Sequence, residues 1–334
     1  MPKTDARLLA IEHWLSHTLK FNYSAIEPAS NDASFRRYFR VSHPQGSHIV
    51  MDAPPEQETL SPFIKISTLL TRNGLKAPSI YAQNTREGFL LLDDFGSICY
   101  LDQLAPETVE TLYKAAMQSL LDMQVTINPV QHALPVYNHA LLHQELELFR
   151  HWFLTELLNI TLSPAAHREL ERTWTVLIKS ALEQPQVFVH RDFHSRNLMI
   201  LEKQSPGIID FQDAVQGPVT YDLVSLLRDC YITWPKQHVL QWVTAYHRQL
   251  QHHPQWHCGL PQFIRWFDLM GLQRHLKAIG IFSRLKLRDH KENYINDIPR
   301  TLNYVINISD DYPELSSFSQ LLKNDVLTAK NLPS

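Results

Sequence analysis

At 334 residues the chain suits one large domain or a pair, and 44% hydrophobic, 10% aromatic and 19% charged residues describe an ordinary globular protein. With 31 Lys+Arg against 34 Asp+Glu, a net charge of −3 gives no whole-surface attraction for nucleic acid or anionic lipid, and no obligate protein partner is evident. Cys99, Cys230 and Cys258 are far apart and form no Cys-x-x-Cys pair, which argues against a disulfide framework and fits a reducing compartment.

The first ten residues lack the basic-then-apolar-then-small pattern of an export signal. No uncharged apolar run approaches the ~18 residues of a membrane span, so a cytoplasmic location and no membrane partner are expected. Residues 5–20 read as an amphipathic helix with Leu8, Leu9, Trp14, Leu15 and Leu19 near one face. From Phe35 to Val41 the side chains alternate. Phe35, Arg37, Phe39 and Val41 share one face; Arg36, Tyr38 and Arg40 take the other. The turn at 43–46 and the apolar run 47–51 complete an antiparallel hairpin. Residues 56–72 look helical and stop near Asn73-Gly74, and 80–83 with 89–92 form a further strand pair.

From Pro106 helical periodicity dominates, with helices expected over 107–125, 139–157, 164–183, 220–231, 236–251, 261–285 and 315–323. The exception is 187–210, where short apolar segments alternate with polar loops and Ser205-Pro206-Gly207 supplies a tight turn. The expectation is an α+β, bilobal chain. A small β-rich N-lobe (1–94) is followed, after a hinge near 92–97, by a larger, mostly helical C-lobe (95–334) holding a small β insertion.

That insertion carries the chemistry. Asp192 and Asn197 lie five residues apart in His190-Arg191-Asp192-Phe193-His194-Ser195-Arg196-Asn197, and Asp210 follows thirteen residues later in Ile209-Asp210-Phe211. Phosphoryl transfer needs an oriented nucleophile and neutralised phosphate charge rather than covalent help. Asp192 can accept the proton of an acceptor hydroxyl. The Asn197 carbonyl and the Asp210 carboxylate are hard oxygen ligands for Mg²⁺ between nucleotide phosphates. Any one of these residues alone reads as a loop or capping residue; the joint pattern favours catalysis. His190 and His194 form His-x₃-His, but the zinc-protease pattern needs Glu after the first His and this chain has Arg191, so zinc is not expected.

The His-x-Asp-x₄-Asn and Ile-Asp-Phe segments resemble those of the aminoglycoside phosphotransferase and choline kinase superfamily, in which Asp-Phe is typically not followed by the protein-kinase glycine; here Gln212 follows. The resemblance runs over nearly the whole chain and implies a protein-kinase-like fold using ATP and Mg²⁺. Segments 30–40, 51–56 and 273–277 resemble a bacterial branch that phosphorylates N-acetylmuramate and N-acetylglucosamine at the anomeric hydroxyl in cell-wall sugar recycling. Aminoglycoside, choline or homoserine kinases are the enzymatic rivals. A degenerate nucleotide-binding module is the non-enzymatic one.

Two departures stand out. The phosphate-covering loop of the fold is often Gly-rich; here 30–34 holds no glycine, though Ser34 and its small neighbours allow close approach to phosphate. The strand that normally carries the ATP-binding lysine reads His48-Ile49-Val50-Met51-Asp52. Arg36, Arg37 and Arg40 are the substitute candidates, with Arg37 or Arg40 expected beside Met51 and Glu56 or Glu58 available to orient one of them. Solvated strand positions are the plain alternative. Leu92 and Asp94 mark a hinge that would bind adenine through backbone groups. For the acceptor, His194, Arg228, Asp229, Arg274, His275 and Lys277 offer the polar and cationic groups that a sugar, or one bearing a carboxylate, requires; each could equally be structural.

Overall fold

The computed structural model describes residues 5–30, 35–202, 206–253 and 256–333. Contacts divide the chain into two units, Met1–Ala116 with Arg196–Asp213, and Met117–Ser195 with Ala214–Ser334. The expected boundary after Asp94 falls inside the first unit, and the hairpin bearing Asn197 and Asp210 groups with the N-terminal sheet.

The first unit is built on an antiparallel five-stranded sheet in the order β1-β2-β3-β5-β4: β1 (Ala25–Ser30), β2 (Arg37–His43), β3 (Gly46–Asp52), β4 (Ile80–Asn84) and β5 (Phe89–Asp93). Alternation in β2 buries Phe39 and Val41 on one face, where they meet Val50, Phe89 and Leu91 beneath helix α1 (Ala6–His13) and its continuation through Thr18. Ile11, Trp14 and Leu15 are the helix's contribution to that core, whereas Leu9, expected on the same face, is exposed. Strand β1 was not legible because Pro28 interrupts it. At the sheet edge the missing N–H is tolerated, and the pairing with β2 shifts register there.

Helix α2 (Ser61–Arg72) begins five residues later than expected, after a turn at 54–57 and with Pro62 in its first turn. It ends as read, at Asn73 and at Gly74 with φ +78°. A short hairpin, β7 (Leu198–Met199) with β8 (Gly207–Ile208), completes this unit; Ser205 of its expected turn lies outside the described residues. A short helix α3 (Tyr100–Gln103) precedes α4 (Val109–Thr126).

The second unit is mostly helical: α5 (His139–Leu148, continuing in wider turns to Leu157), α6 (Pro164–Leu182), α7 (Tyr221–Leu227), α8 (Lys236–Leu250), α9 (Leu260–Leu287), α10 (Ile298–Asp311) and α11 (Ser316–Leu321). A two-stranded ribbon, β6 (Gln186–Val189) with β9 (Val215–Pro218), interrupts them, and β9 was missed because Gly217 and Pro218 read as loop. The long α9 packs against α5, α6, α7 and α10. It comes so close to α5 that a Cβ on Gly280 would lie 2.4 Å from the Leu148 carbonyl carbon. Helix α10 is another element that the local sequence pattern does not predict. Thr301, Val305, Ile306 and Ile308 are β-branched and weak helix formers, so burial of that stripe, not propensity, makes the helix. The α+β expectation holds, and no described helix is long and apolar enough to cross a membrane. All three cysteines are free thiols, as expected.

Candidate functional site

In the second unit, β6 delivers the chain into the Asp192 loop. Arg191 takes φ +78°, a left-handed conformation costly for a long side chain. What holds it is the buried Asp222 on α7, whose carboxylate accepts the backbone N–H of His190 at 2.7 Å and of Arg191 at 3.0 Å. Burial pushes the Asp222 carboxyl up to about 7, against the pull of those two hydrogen bonds. Three residues beyond Asp192, Asp229 accepts the Ser195 N–H at 2.9 Å and the Ser195 hydroxyl at 2.5 Å. Helix α7 ends at Leu227 rather than near 231, which frees Asp229 for this contact. The loop is thus fixed on both sides of Asp192 by two carboxylates of one short segment.

Asp192 lines a cavity of about 150 Å³ together with His194, Tyr221, Tyr231, Arg274 and Lys277. Burial pulls the Asp192 pKa upward, but Lys277, His194, Arg191 and Arg274 outweigh it and hold the carboxyl below its ordinary value. The residue therefore stands ionised at neutral pH, as a proton acceptor must. The ring of His194 meets Tyr231 edge-on, with centroids 5.4 Å apart.

Behind the cavity, Glu145 of α5 collects a buried network. It accepts hydrogen bonds from Arg191 at 2.5 Å, Gln273 at 3.1 Å and the Tyr137 hydroxyl, and pairs with Lys277 at 3.1 Å. Lys277 also donates to the Tyr221 hydroxyl at 3.0 Å. Sequence reasoning missed Glu145, although a signal existed. It stands beside Leu142, Leu146 and Phe149, on the apolar stripe of its helix.

The other acceptor candidates separate cleanly. Arg274 and Lys277 reach the cavity; Arg228, Asp229 and His275 do not line it. Arg228 pairs with Asp268 at 2.5 Å and lies over the Phe267 ring, Asp229 serves Ser195, and His275 stacks on Tyr304 while its Nε2 meets the Arg228 carbonyl at 2.8 Å. Burial drives the His275 pKa down to about 3, so this imidazole is neutral and donates to that carbonyl.

In the first unit, Asp210 follows β8 with φ +64°. Its carboxylate accepts from the Asn197 amide at 3.3 Å and the Gln212 amide at 2.8 Å. The Asn197 and Asp210 side chains are adjacent hard oxygen donors, a set that suits Mg²⁺. Both line a cavity of about 640 Å³. Its apolar walls include Ile49 and Leu92 from the sheet and Met199, Ile209 and Phe211 from the hairpin. Asp94, at the same cavity, is a structural anchor. It accepts from Arg40 Nε at 2.6 Å and Nη2 at 3.0 Å, from Ser47 at 2.7 Å and from the Gly96 N–H at 2.9 Å.

The arginine candidates do not behave as expected. The register pairs Tyr38 with Met51, Arg37 with Asp52 and Arg40 with Ile49, so the neighbour across from Met51 is Tyr38. Arg37 sits on the α1 face, bound to Asp5 and, at 2.6 Å, to the buried Asp52, away from the cavity-lining face. Arg36 pairs with Glu58 at 2.6 Å, which takes up one of the two acids proposed for that purpose. Ser34 lies outside the described residues. Among the described residues the His190/His194 pair joins no cluster of three metal-binding groups.

A sheet-borne cavity lined by Asn197 and Asp210, and a loop that carries an ionised Asp192 to a polar cavity, are features that phosphoryl transfer would require. Residues 25–261 match the phosphotransferase enzyme family, and the chain belongs to it: it is a phosphotransferase. Among curated proteins it is 41% identical to the N-acetylmuramate/N-acetylglucosamine kinase of Pseudomonas aeruginosa, over 95% of this chain and 96% of that one. The protein of the same name from Neisseria meningitidis serogroup B is 38% identical over 95% of each chain. Among solved structures, ADP-bound aminoglycoside phosphotransferase APH(2'')-Ib superposes with a TM-score of 0.61 at 14% identity, over 91% of this chain and 99% of that one. A choline kinase from Streptococcus pneumoniae gives a TM-score of 0.61 at 11% identity, over 90% and 99%. These structures establish the kinase-like fold.

Proposed function

We propose that the chain transfers the γ-phosphoryl group of ATP to the anomeric hydroxyl of N-acetylmuramate or N-acetylglucosamine, giving the sugar 1-phosphate, in the cytoplasmic recycling of cell-wall sugars. The observation that carries the reading is the Asp192 carboxylate lining one small cavity with Arg274 and Lys277, a base beside two cations. Tyr221, Tyr231, Phe282 and Tyr294 also line this cavity, so what speaks against a cationic acceptor such as choline or an aminoglycoside is the charge of Arg274 and Lys277, which would repel it, not a lack of aromatic rings. The names of the relatives, at about 40% identity over nearly the whole chain, support the amino sugar.

Asp192 accepts the proton of the acceptor hydroxyl. The acceptor oxygen bonds to the γ-phosphorus as the bond to the β–γ bridging oxygen breaks, and that electron pair leaves with ADP. Arg274 and Lys277 orient the acceptor, and Lys277 keeps Asp192 ionised. The apolar walls around Ile49, Leu92 and Met199 take the adenine, near Asp94 and the hinge. Asn197 and Asp210 would hold Mg²⁺, which when bound neutralises phosphate charge.

A panel of hydroxylated acceptors with Mg²⁺-ATP, read by phosphorus NMR, tests this. An anomeric phosphate on either amino sugar is expected; phosphorylation of choline, homoserine or an aminoglycoside in its place would overturn the acceptor assignment.

A further inference from the structure

The triphosphate of a nucleotide needs a fixed cation, and the usual place for it on β3 holds Met51, whose thioether carries no charge. The register of the sheet decides what can stand in. Tyr38 faces Met51 and Arg40 faces Ile49, so alternation puts positions 38, 40, 49 and 51 on one face, and Arg36, the residue just ahead of β2, continues that phase in sequence. That face lines the large cavity through Tyr38, Arg40 and Ile49. Arg37 is on the other face, committed to Asp5 and Asp52.

Arg40, which lines the large cavity, stands at the hinge end. Its guanidinium is forked on Asp94 and reaches Ser97 at 2.9 Å. Arg36 stands four residues back, roughly 13 Å along the strand direction at the usual rise. Arg40 is diagonal to Met51 by register, but it is Arg36 that lines one recess of about 260 Å³ with Met51, Glu58, Gln212 and Asp213. Glu58 holds the guanidinium through Nε at 2.6 Å, and both side chains are largely buried. Burial works against the charge on Arg36, yet Tyr38, Glu58 and Asp210 outweigh it, which places the guanidinium within the field of the proposed metal ligand.

We infer that Arg36 is the phosphate-binding cation of this chain, oriented by Glu58 and serving the nucleotide's β- and γ-phosphates in place of a lysine at position 51. The inference rests on the reading of the first unit as a nucleotide site. A guanidinium offers a planar fork to two phosphate oxygens where an ammonium offers a point charge, so the displaced position and the change of residue type go together. Glu58, just ahead of α2, is then a positioning residue, and Arg37 a structural one.

The test moves the charge back. Arg36→Met, Met51→Lys and the double variant are compared with the wild type by calorimetry with Mg²⁺-ATP. Adenosine, which lacks phosphates, is measured by competition against a fluorescent nucleotide. Loss of a charge-assisted contact should weaken Mg²⁺-ATP binding by about 10- to 100-fold in Arg36→Met. Adenosine affinity should stay within about twofold, because no phosphate is involved. The double variant should regain most of the loss. Wild-type affinity for Mg²⁺-ATP in Arg36→Met, or equal losses for ATP and adenosine, would overturn the assignment. If Arg36→Met gives no cooperative melt, Arg36→Gln carries the same comparison. A wild-type protein that binds neither ligand would instead sink the nucleotide-site reading beneath it.

Discussion

Glu145 and Lys277, far apart in the sequence but side by side in the fold, form an ion pair of 3.1 Å within the second unit. The same carboxylate binds Arg191, the residue before Asp192. Burial raises the Glu145 pKa, but Lys277, Arg191 and hydrogen bonds from Tyr137 and Gln273 bring it below the ordinary value. Replacing it with Gln leaves the buried Lys277 and the partly buried Arg191 without their counter-charge, an imbalance that costs about 3–5 kcal/mol. Glu145→Gln should therefore melt well below the wild type at neutral pH. A group with a depressed folded pKa stabilises the fold above its unfolded pKa and ceases to as pH falls through the folded one. The difference in melting temperature should accordingly shrink in acid; an equal difference at every pH would show that the charge is not what matters.

Asp192→Asn should reduce turnover by about 10²- to 10⁴-fold, the usual worth of a general base, while Mg²⁺-ATP binding persists. The pH profile gives a second reading. Lys277 is the largest of the cationic influences that lower the Asp192 pKa, so Lys277→Met should shift the acid limb of kcat/KM to higher pH. An unmoved limb would remove Asp192 as the group that titrates there.

His275 makes a stability prediction with the opposite chemistry. Its folded pKa is near 3 against an ordinary 6.5, so below pH 6.5 the unfolded chain takes up a proton that the folded chain refuses. Stability should fall by about 1.4 kcal/mol per pH unit from this residue alone between those limits. His275→Gln retains a donor for the Arg228 carbonyl and should flatten that part of the curve. Denaturant titrations between pH 7 and 4 measure the slope.

Asp210→Ala should weaken Mg²⁺-ATP binding by at least about tenfold. Nucleotide affinity measured in the presence of a chelator should hardly change. Isothermal titrations in both conditions separate the two, and an equal loss in each would assign Asp210 to the fold of the hairpin rather than to the metal.

What was legible in the sequence came from short-range pattern. Residues 190–197 and 209–211 carry their chemistry within a few positions, and the turn at Gly74 and the alternation of β2 are local as well. That alternation already set Arg36 apart from Arg37. A residue sharing a face with Phe39 and Val41 belongs to the core side, where Arg37 lies. Strands β1 and β9 and helix α10 were hidden because Pro28, Gly217, Pro218 and a β-branched stripe speak against their elements locally, and long-range pairing or packing overrides them.

The sequence by itself determined the kind of chemistry, because the proton acceptor and metal-binding candidates stand on one continuous stretch with a defined spacing. It also determined the alternation of faces and most of the helices. Only the tertiary structure decided which charges stand together. Asp222 and Asp229 became anchors of the Asp192 loop, Glu145 became the counter-charge of Arg191 and Lys277, and Arg36 rather than Arg37 came to share a recess with Met51. A side chain's type is written in the chain, but its partner depends on which distant backbone packs against it. For a charged group the partner settles whether it is a structural anchor or a working residue.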